Sequence, residues 1–243
     1  MKTELLGKEI YLVRSKRKSI GIEIKADGSI VVKAPRDVPM NILEQILKKK
    51  MNWIESKQDE MIKYRKTIPV RKYESGEVFL FLGNHVKVLW EESKVRSIKG
   101  IQFSSIDEIN KNKVLRLEFP SDMVLSADRA KDLLEAAYVK LSQIILYERV
   151  QYYMQIMQVK PNEVRIKNQK TRWGSCSSKR NINLNYRLIM APLEVIDYVV
   201  VHELSHLIEL NHSKAFWQKV KEVLPDYEAQ KNWLKQNGSM LTL

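Results

Sequence analysis

The side chains best suited to catalysis lie in one short segment, His202-Glu203-Leu204-Ser205-His206. On a helix, His202 and His206 project from one face a turn apart, where both imidazoles can bind one cation. Glu203 lies about 100° around the helix from His202, where its carboxylate can act as a general base for water. The preceding residues are apolar almost all round, so we expect the motif to be buried. Because unpartnered burial costs about 2–7 kcal/mol per polar group, the motif predicts a metal site.

Candidate substrate-binding residues lie at 171–177, in the segment Thr-Arg-Trp-Gly-Ser-Cys-Ser. Gly174 allows another backbone to approach closely, and the strand that follows could lie beside the metal as a substrate-binding edge. Arg172 would then stabilise an oxyanion or a phosphate, and Trp173 would line the cleft. The alternative is that Trp173 and Cys176 pack in the core while Arg172 pairs with an acidic side chain. We do not expect Cys176 to be a nucleophile, because it lacks a histidine that the metal does not already claim.

These segments together resemble the YgjP-like metallopeptidase family of predicted metal-dependent hydrolases, and the resemblance covers nearly the whole chain. It implies that His202, His206 and His212 are the metal ligands and that Glu203 is the catalytic residue. The catalytic part is more distantly similar to SprT-like and other zincin proteases. The matching blocks are His202–His206, Asn211-His212-Ser213, Phe216-Trp217, Arg172–Cys176, Arg14–Lys18 and Lys33–Pro35.

One departure from related enzymes concerns the end of the motif helix. Metzincins share the spacing of the three histidines but have a glycine at the position of Glu209, where their helix turns. Asn211 is the next-best residue for a left-handed turn, so we expect the helix to end just before His212. Glu209 and Glu222 are the alternatives to His212 as the third ligand. A set of three neutral imidazole ligands with one open coordination position favours zinc, and we expect one zinc ion per chain.

Composition limits the class of protein. The chain has 243 residues, one cysteine and a net charge of +13 from 42 basic and 29 acidic residues. One cysteine excludes a disulfide framework and fits a reducing compartment, and the first residues do not look like a signal peptide. No segment is apolar for long enough to span a bilayer. We therefore expect a cytoplasmic protein with no membrane partner, whose diffuse positive charge allows weak association with nucleic acid.

The elements that must position these residues follow from hydrophobic periodicity. Alternation predicts hairpins at 20–32 and 78–89 and a strand at 114–119. The second hairpin would turn at Gly83-Asn84 and expose His85. Helical spacing predicts long helices at 41–63 and 126–157, and short strands at 164–166 and 182–188 follow as a small hairpin. Further helices are predicted at 193–210, 213–223 and 227–236, and we find no internal repeat.

This order of elements predicts an α+β protein in two parts. Residues 1–120 form a β-rich N-terminal region with one long helix, and residues 121–243 form a zincin-like metallohydrolase domain with the motif helix and a small β-sheet. The expected function is that of a zinc metallopeptidase, in which zinc-activated water attacks a peptide bond and Glu203 takes the proton.

Two alternative functions remain open. One is a metal-dependent nucleoside triphosphate pyrophosphatase, which the net charge and the basic residues near 170–180 would suit. The other is a nucleic-acid-associated module with a structural zinc, for which Cys176 would be the fourth ligand.

Overall fold

Two units of the chain, Met1–Val70 and Arg71–Leu243, each have a hydrophobic core of their own in the computed structural model. We call them the N-terminal unit and the C-terminal unit. The structure describes residues 2–25, 27–67, 71–93, 102–169 and 171–243, and only the backbone of residues 60–67. Within these ranges, no helix has the length and apolar character needed to cross a membrane.

The N-terminal unit is built on a four-stranded sheet. Strands β1 (Lys2–Leu5), β2 (Lys8–Ser15), β3 (Gly21–Ile24) and β4 (Ile30–Pro35) lie in the order β1-β2-β4-β3. The central pair, β2 and β4, is parallel, and both outer pairs are antiparallel. The turn between β1 and β2 is Leu6-Gly7, with positive φ at both residues, as a two-residue hairpin turn requires. The β3–β4 hairpin matches the sequence prediction, whereas the β1–β2 hairpin was not predicted.

Helix α1 (Met40–Thr67) packs on this sheet and extends the predicted helix by a few residues. Its buried residues Leu43, Leu47 and Ile54 meet inward-facing strand residues in a small core. The strand residues of that core are Leu5, Ile10, Leu12, Ile30, Val32 and Ala34.

The C-terminal unit begins with a second four-stranded sheet. Strands β5 (Val78–Phe81), β6 (Asn84–Ser93), β7 (Gln102–Phe103) and β8 (Val114–Pro120) lie in the order β5-β6-β8-β7. Again the central pair is parallel and the outer pairs are antiparallel. The first turn is Leu82-Gly83, with positive φ at both residues, so the predicted turn was placed one residue too late.

The two sheets form an internal structural repeat, which corrects the expectation that there is none. Strand order and strand directions agree, and a long helix follows each sheet. The matching positions are the turns Leu6-Gly7 and Leu82-Gly83 and the last pairs of the parallel strands, Ser15 with Pro35 and Ser93 with Pro120. Buried positions that follow the two turns are also apolar in both sheets, Ile10 and Leu12 in β2 and Val86 and Val88 in β6.

Helices α2 (Ile106–Asn112) and α3 (Ala127–Met157) belong to the second sheet. Ser126 caps α3, as the sequence predicts. Tyr138 and Leu141 of α3 lie in one continuous core with the strands of the second sheet. The division predicted after residue 120 therefore falls inside this core, between β8 and α3.

The remaining elements surround the histidine motif. Strands β9 (Glu163–Lys167), β10 (Gly174–Cys176) and β11 (Asn181–Asn185) form a small sheet in the order β10-β11-β9. β9 and β11 are parallel, not the predicted hairpin, because the chain between them forms β10, antiparallel to β11. The elements that follow are a 3₁₀ helix (Tyr186–Met190) and helices α4 (Leu193–Ser205), α5 (Lys214–Val223) and α6 (Tyr227–Asn237).

Candidate metal centre

Helix α4 carries the histidine motif through the core of the C-terminal unit, as the apolar sequence before the motif predicts. A bidentate ion pair joins it to α3, since Arg149 Nε and Nη2 donate to the two carboxylate oxygens of Asp197 at 2.6 and 2.9 Å. Bidentate pairs fix geometry as well as supplying energy. The buried apolar residues of α4 are Val195, Ile196, Val199, Val200, Val201 and Leu204.

The structure brings the three predicted histidines together. His202, His206 and His212 each offer one ring nitrogen, and these atoms lie within 4.8 Å of one another. Nε2 of His202 and Nε2 of His212 are 3.0 Å apart. Two nitrogen ligands at about 2.0–2.1 Å from one tetrahedral zinc ion would be about 3.4 Å apart. Small side-chain movements therefore suffice for the three rings to hold one ion.

The alternative ligands do not join this group in the part of the chain that the structure describes. Glu222 pairs with Lys219 at 2.9 Å, and Cys176 is not among the clustered ligands. Glu209 contributes its backbone carbonyl oxygen, which lies 3.2 Å from His206 Nδ1. Since a carbonyl oxygen only accepts hydrogen bonds, Nδ1 of His206 carries the proton and Nε2 keeps a lone pair for a metal.

The surroundings of His202 and His206 favour the neutral rings that metal binding requires. Burial lowers the pKa of His202 to about 3 and also lowers the pKa of His206. His202 Nδ1 and Glu203 Oε2 are buried without a hydrogen-bond partner among the described residues. Such atoms are rare in folded proteins, and here they indicate a ligand or water. The donor set therefore fits a divalent transition metal such as zinc.

Helix α4 ends earlier than the sequence predicts. Its last residue is Ser205, and His206 follows with right-handed helical angles. Asn211 does not have a positive φ, so the expected left-handed turn is absent. Instead, the N–H groups of Ile208 and Glu209 both donate to the Ser205 carbonyl oxygen. These tight turns lead the chain towards His212 without a left-handed residue.

Glu203 lies against the backbone of β10. It is 5% exposed, and a Cβ atom on Gly174 would lie 2.6 Å from its Cγ and Oε1. Glycine is therefore required at 174 for this close approach. Burial raises the pKa of Glu203 to about 8, although the positive charge of Arg172 partly opposes the rise. Two predicted site residues, Glu203 and Gly174, are thus direct neighbours.

Arg172 and Trp173 occupy different environments. The Trp173 ring packs against Gly238, where a Cβ atom would lie 3.0 Å from the ring. This contact favours the packing role for Trp173. Arg172 is exposed, and its charge acts on Glu203. Among the described residues we see no ion pair between Arg172 and an acidic side chain.

Asn185 is a supporting residue that the sequence did not indicate. Its side chain is buried, and Nδ2 donates to the carbonyl oxygens of Gln169 and Arg172 at 2.7 and 2.9 Å. Its backbone N–H donates to the Trp173 carbonyl oxygen at 2.8 Å. Asn185 therefore fixes the loop that leads into β10. Lys170, one of the basic residues considered for nucleotide binding, lies outside the described residues.

A stack of aromatic rings beside the histidines was also missed. Trp217 stacks on His212 and Tyr227, with ring centroids 5.7 and 5.3 Å apart. Tyr227 stacks in turn on Tyr198 at 6.4 Å. Lys231 Nζ lies 3.9 Å from the centroid of the Trp217 ring. The rings come from three helices, so no spacing along the sequence links them.

A histidine pair one helical turn apart, an adjoining glutamate and a third histidine from the following loop define the class of HExxH metalloproteins. Residues 18–237 match the YgjP-like metallopeptidase domain. The chain therefore belongs to the YgjP-like family of metallopeptidases, which confirms the resemblance noted in the sequence.

Two solved structures are similar to a smaller part of the chain. The metallopeptidase zymogen of Pyrococcus abyssi abylysin has 23% identity and a TM-score of 0.34, covering 37% of this chain and 90% of its own. The metallopeptidase zymogen of Methanocaldococcus jannaschii jannalysin has 21% identity and a TM-score of 0.34, covering 39% and 96%. No curated protein matches the chain significantly.

Proposed function

We propose that the protein is a zinc-dependent peptidase in which Glu203 acts as the general base. The observation that carries this proposal is the convergence of three imidazoles beside a buried glutamate with an unpartnered oxygen. Family membership supplies the reaction class, and the site supplies the assignment of roles to particular residues.

Zinc would be held by His202, His206 and His212. When bound, it acts as a Lewis acid that polarises a carbonyl group and makes water more acidic. His202 and His206 remain neutral at physiological pH because burial lowers the pKa of each ring. The hydrogen bond between His206 Nδ1 and the Glu209 carbonyl oxygen orients that ring and fixes its tautomer.

Glu203 would accept the proton of the attacking water at its unpartnered Oε2 atom and return it to the leaving amine. A general base works best when its pKa lies near the operating pH. Burial moves the pKa of Glu203 upward to about 8, and a divalent cation at the histidines would lower it again. The contact with Gly174 limits the positions that the carboxylate can adopt.

Strand β10 would bind the substrate backbone. The Asn185 N–H donates to the Trp173 carbonyl oxygen, and the Ser177 N–H donates to the Asn181 carbonyl oxygen. Because bonded and non-bonded positions alternate along an antiparallel pair, the N–H and C=O groups of Gly174 point away from β11. Since β10 is an edge strand of its sheet, an extended peptide can pair with it beside Glu203.

Arg172 is the proposed positive group at the substrate edge, where it would stabilise negative charge that develops on the scissile carbonyl. The other two functions find no support in the family. A structural zinc usually has four protein ligands, and Cys176 does not join the three histidines in the described structure. Among the described residues of the site, no contact favours a nucleotide over a peptide.

The decisive experiment compares Glu203→Gln with Glu209→Gln in the zinc-loaded protein, using a quenched fluorescent peptide library as substrate. Loss of a general base lowers kcat by about 10²–10⁴-fold, so Glu203→Gln should lose that activity while keeping one zinc per chain. Glu209→Gln is the matched control. The contact of Glu209 with His206 is made by its backbone carbonyl oxygen, so changing the side chain leaves that contact in place. Loss of zinc from Glu203→Gln would make Glu203 a ligand, and unchanged turnover would remove it from the mechanism.

A further inference from the structure

A second candidate site lies in the N-terminal unit, in a groove between β3 and α1. The groove has a volume of about 250 Å³ and is lined by Ile20, Ile22, Ile46, Lys50 and Trp53. The Trp53 side chain is 43% exposed, so a large apolar surface of its indole ring faces solvent. An apolar groove with an exposed tryptophan and a single cation is typical of a binding surface.

The backbone of β3 offers hydrogen bonds along this groove. In the described structure β3 is the last strand of its sheet and pairs only with β4. The Lys25 N–H donates to the Ser29 carbonyl oxygen at 2.9 Å, which fixes the alternation along the pair. Glu23 therefore bonds to β4, whereas Ile22 and Ile24 point their N–H and C=O groups away from it. Such an edge can accept an additional strand.

The helix side of the groove is positively charged. Ile46, Lys50 and Trp53 follow one another at spacings of four and three residues, so they share one flank of α1. On the far flank, Glu55 pairs with Lys8 of β2 at 3.4 Å. The acidic side chains that the structure describes on α1 all lie about 140° or more around the helix from Ile46: Glu44, Glu55 and Asp59. Among residues 40–59 of α1, whose side chains the structure describes, an acidic ligand would thus meet Lys50 and no acidic side chain on the flank of the groove.

We propose that this groove binds an extended acidic peptide as a fifth strand of the sheet. The peptide backbone would pair with Ile22 and Ile24, an apolar side chain would contact Trp53, and a carboxylate would pair with Lys50. Alternate side chains of a strand point to the same face, so an apolar and an acidic residue two positions apart make both contacts. A nucleic acid offers phosphates to Lys50 but no backbone that fits the edge of β3.

The edge that β3 offers spans the four residues Gly21–Ile24. The groove would recruit unfolded segments of substrate proteins, and this role rests on the proposed peptidase function. The binding of an acidic peptide to the groove does not depend on that function.

The test is fluorescence polarisation with the labelled seven-residue peptide Leu-Leu-Glu-Glu-Leu-Leu-Glu, in which residues two positions apart are one leucine and one glutamate. The salt concentration is about 150 mM, which screens distant charges. The 243-residue chain used in this test carries Glu203→Gln, so that cleavage of the peptide is not mistaken for its dissociation. Lys50→Glu and Trp53→Ala should each raise Kd by about tenfold or more, as expected for residues at the centre of a small interface. Lys48→Glu makes the same charge change on the other side of α1 and should alter Kd by less than about twofold.

The same peptide with lysine in place of each glutamate should bind at least about tenfold more weakly than the acidic peptide. Equal losses in Lys48→Glu and Lys50→Glu, or no measurable binding of the acidic peptide, would overturn the proposal. So would a dimer that Lys50→Glu dissociates, because the occupant would then be a second copy of the chain. Melting curves identify a variant that fails to fold, in which case Lys50→Gln replaces Lys50→Glu. Binding without peptidase activity would contradict only the proposed function.

Discussion

The two four-stranded sheets share a topology but support different surfaces. In the N-terminal unit the sheet and α1 enclose a small core, with the β3 edge and the groove beside it. In the C-terminal unit the second sheet and α3 share one core with the 3₁₀ helix and α4. The Leu82 and Gly83 N–H groups donate to the carbonyl oxygens of Ile189 and Met190 in that 3₁₀ helix. The second sheet therefore packs against the elements that position α4, the helix of the histidine motif.

This difference shows that a shared topology does not determine function, because each site depends on what packs against the repeated scaffold. The first copy keeps an apolar flank and an open strand edge, which suit binding. The second copy is covered by the elements that carry the histidines, which suits a site needing fixed geometry.

The largest expected effect is on metal content. His202→Ala should abolish tight zinc binding, because two remaining imidazoles form an incomplete site. His85→Ala changes an exposed histidine of β6 and should leave one zinc per chain. Elemental analysis after dialysis measures both. Full zinc retention in the His202→Ala protein would exclude this site.

Matched leucines test whether the two cores are independent. Leu47 of α1 and Leu141 of α3 are both buried, and replacing either by alanine should cost about 2–5 kcal/mol. We expect Leu141→Ala to lower the temperature at which the zinc site is lost, and Leu47→Ala to leave it unchanged. Calorimetry with a zinc-release dye follows both events. Equal effects of the two variants on zinc release would show that the units unfold together.

The glycines of the two equivalent turns, Gly7 and Gly83, allow a comparison of stability with a smaller expected difference. Gly7 and Gly83 both have positive φ, so alanine should cost about 1–2 kcal/mol at either position. A Cβ atom at Gly7 meets nothing within 4 Å, whereas one at Gly83 would lie 2.9 Å from Pro192, directly before α4. Overpacking should add about 1–3 kcal/mol for Gly83→Ala. Urea denaturation measures the difference, and equal losses would show that the second turn is not constrained by Pro192.

The last prediction concerns the pH dependence of the metal-free protein. The pKa of Glu203 rises from an ordinary value of 4.5 to about 8 in the folded chain. Its stabilising contribution is therefore fully present below about pH 4.5 and is lost as the pH rises through 8. The melting temperature of metal-free wild type should fall relative to Glu203→Gln between these values. Parallel melting curves across this range would mean that Glu203 is not buried in the way described.

Much of the site could be predicted from local sequence. The helical repeat of 3.6 residues places His202 and His206 on one face whatever surrounds them, and the apolar run before them required burial. Asp27-Gly28 and the capping residue Ser126 likewise indicate a turn and a helix start through short-range hydrogen bonds. Zinc and the role of Glu203 remain proposals that the experiments above test.

Other features depended on tertiary structure, because they involve residues that are distant along the chain. The path from Ser205 to His212 follows a hydrogen bond of the His206 ring, which no propensity encodes. The parallel pairs at the centre of both sheets join strands separated by other elements, so the repeat became visible only when they were paired. Helix periodicity arises from contacts within one turn, whereas strand partners and loop paths are chosen by the packing of the whole unit.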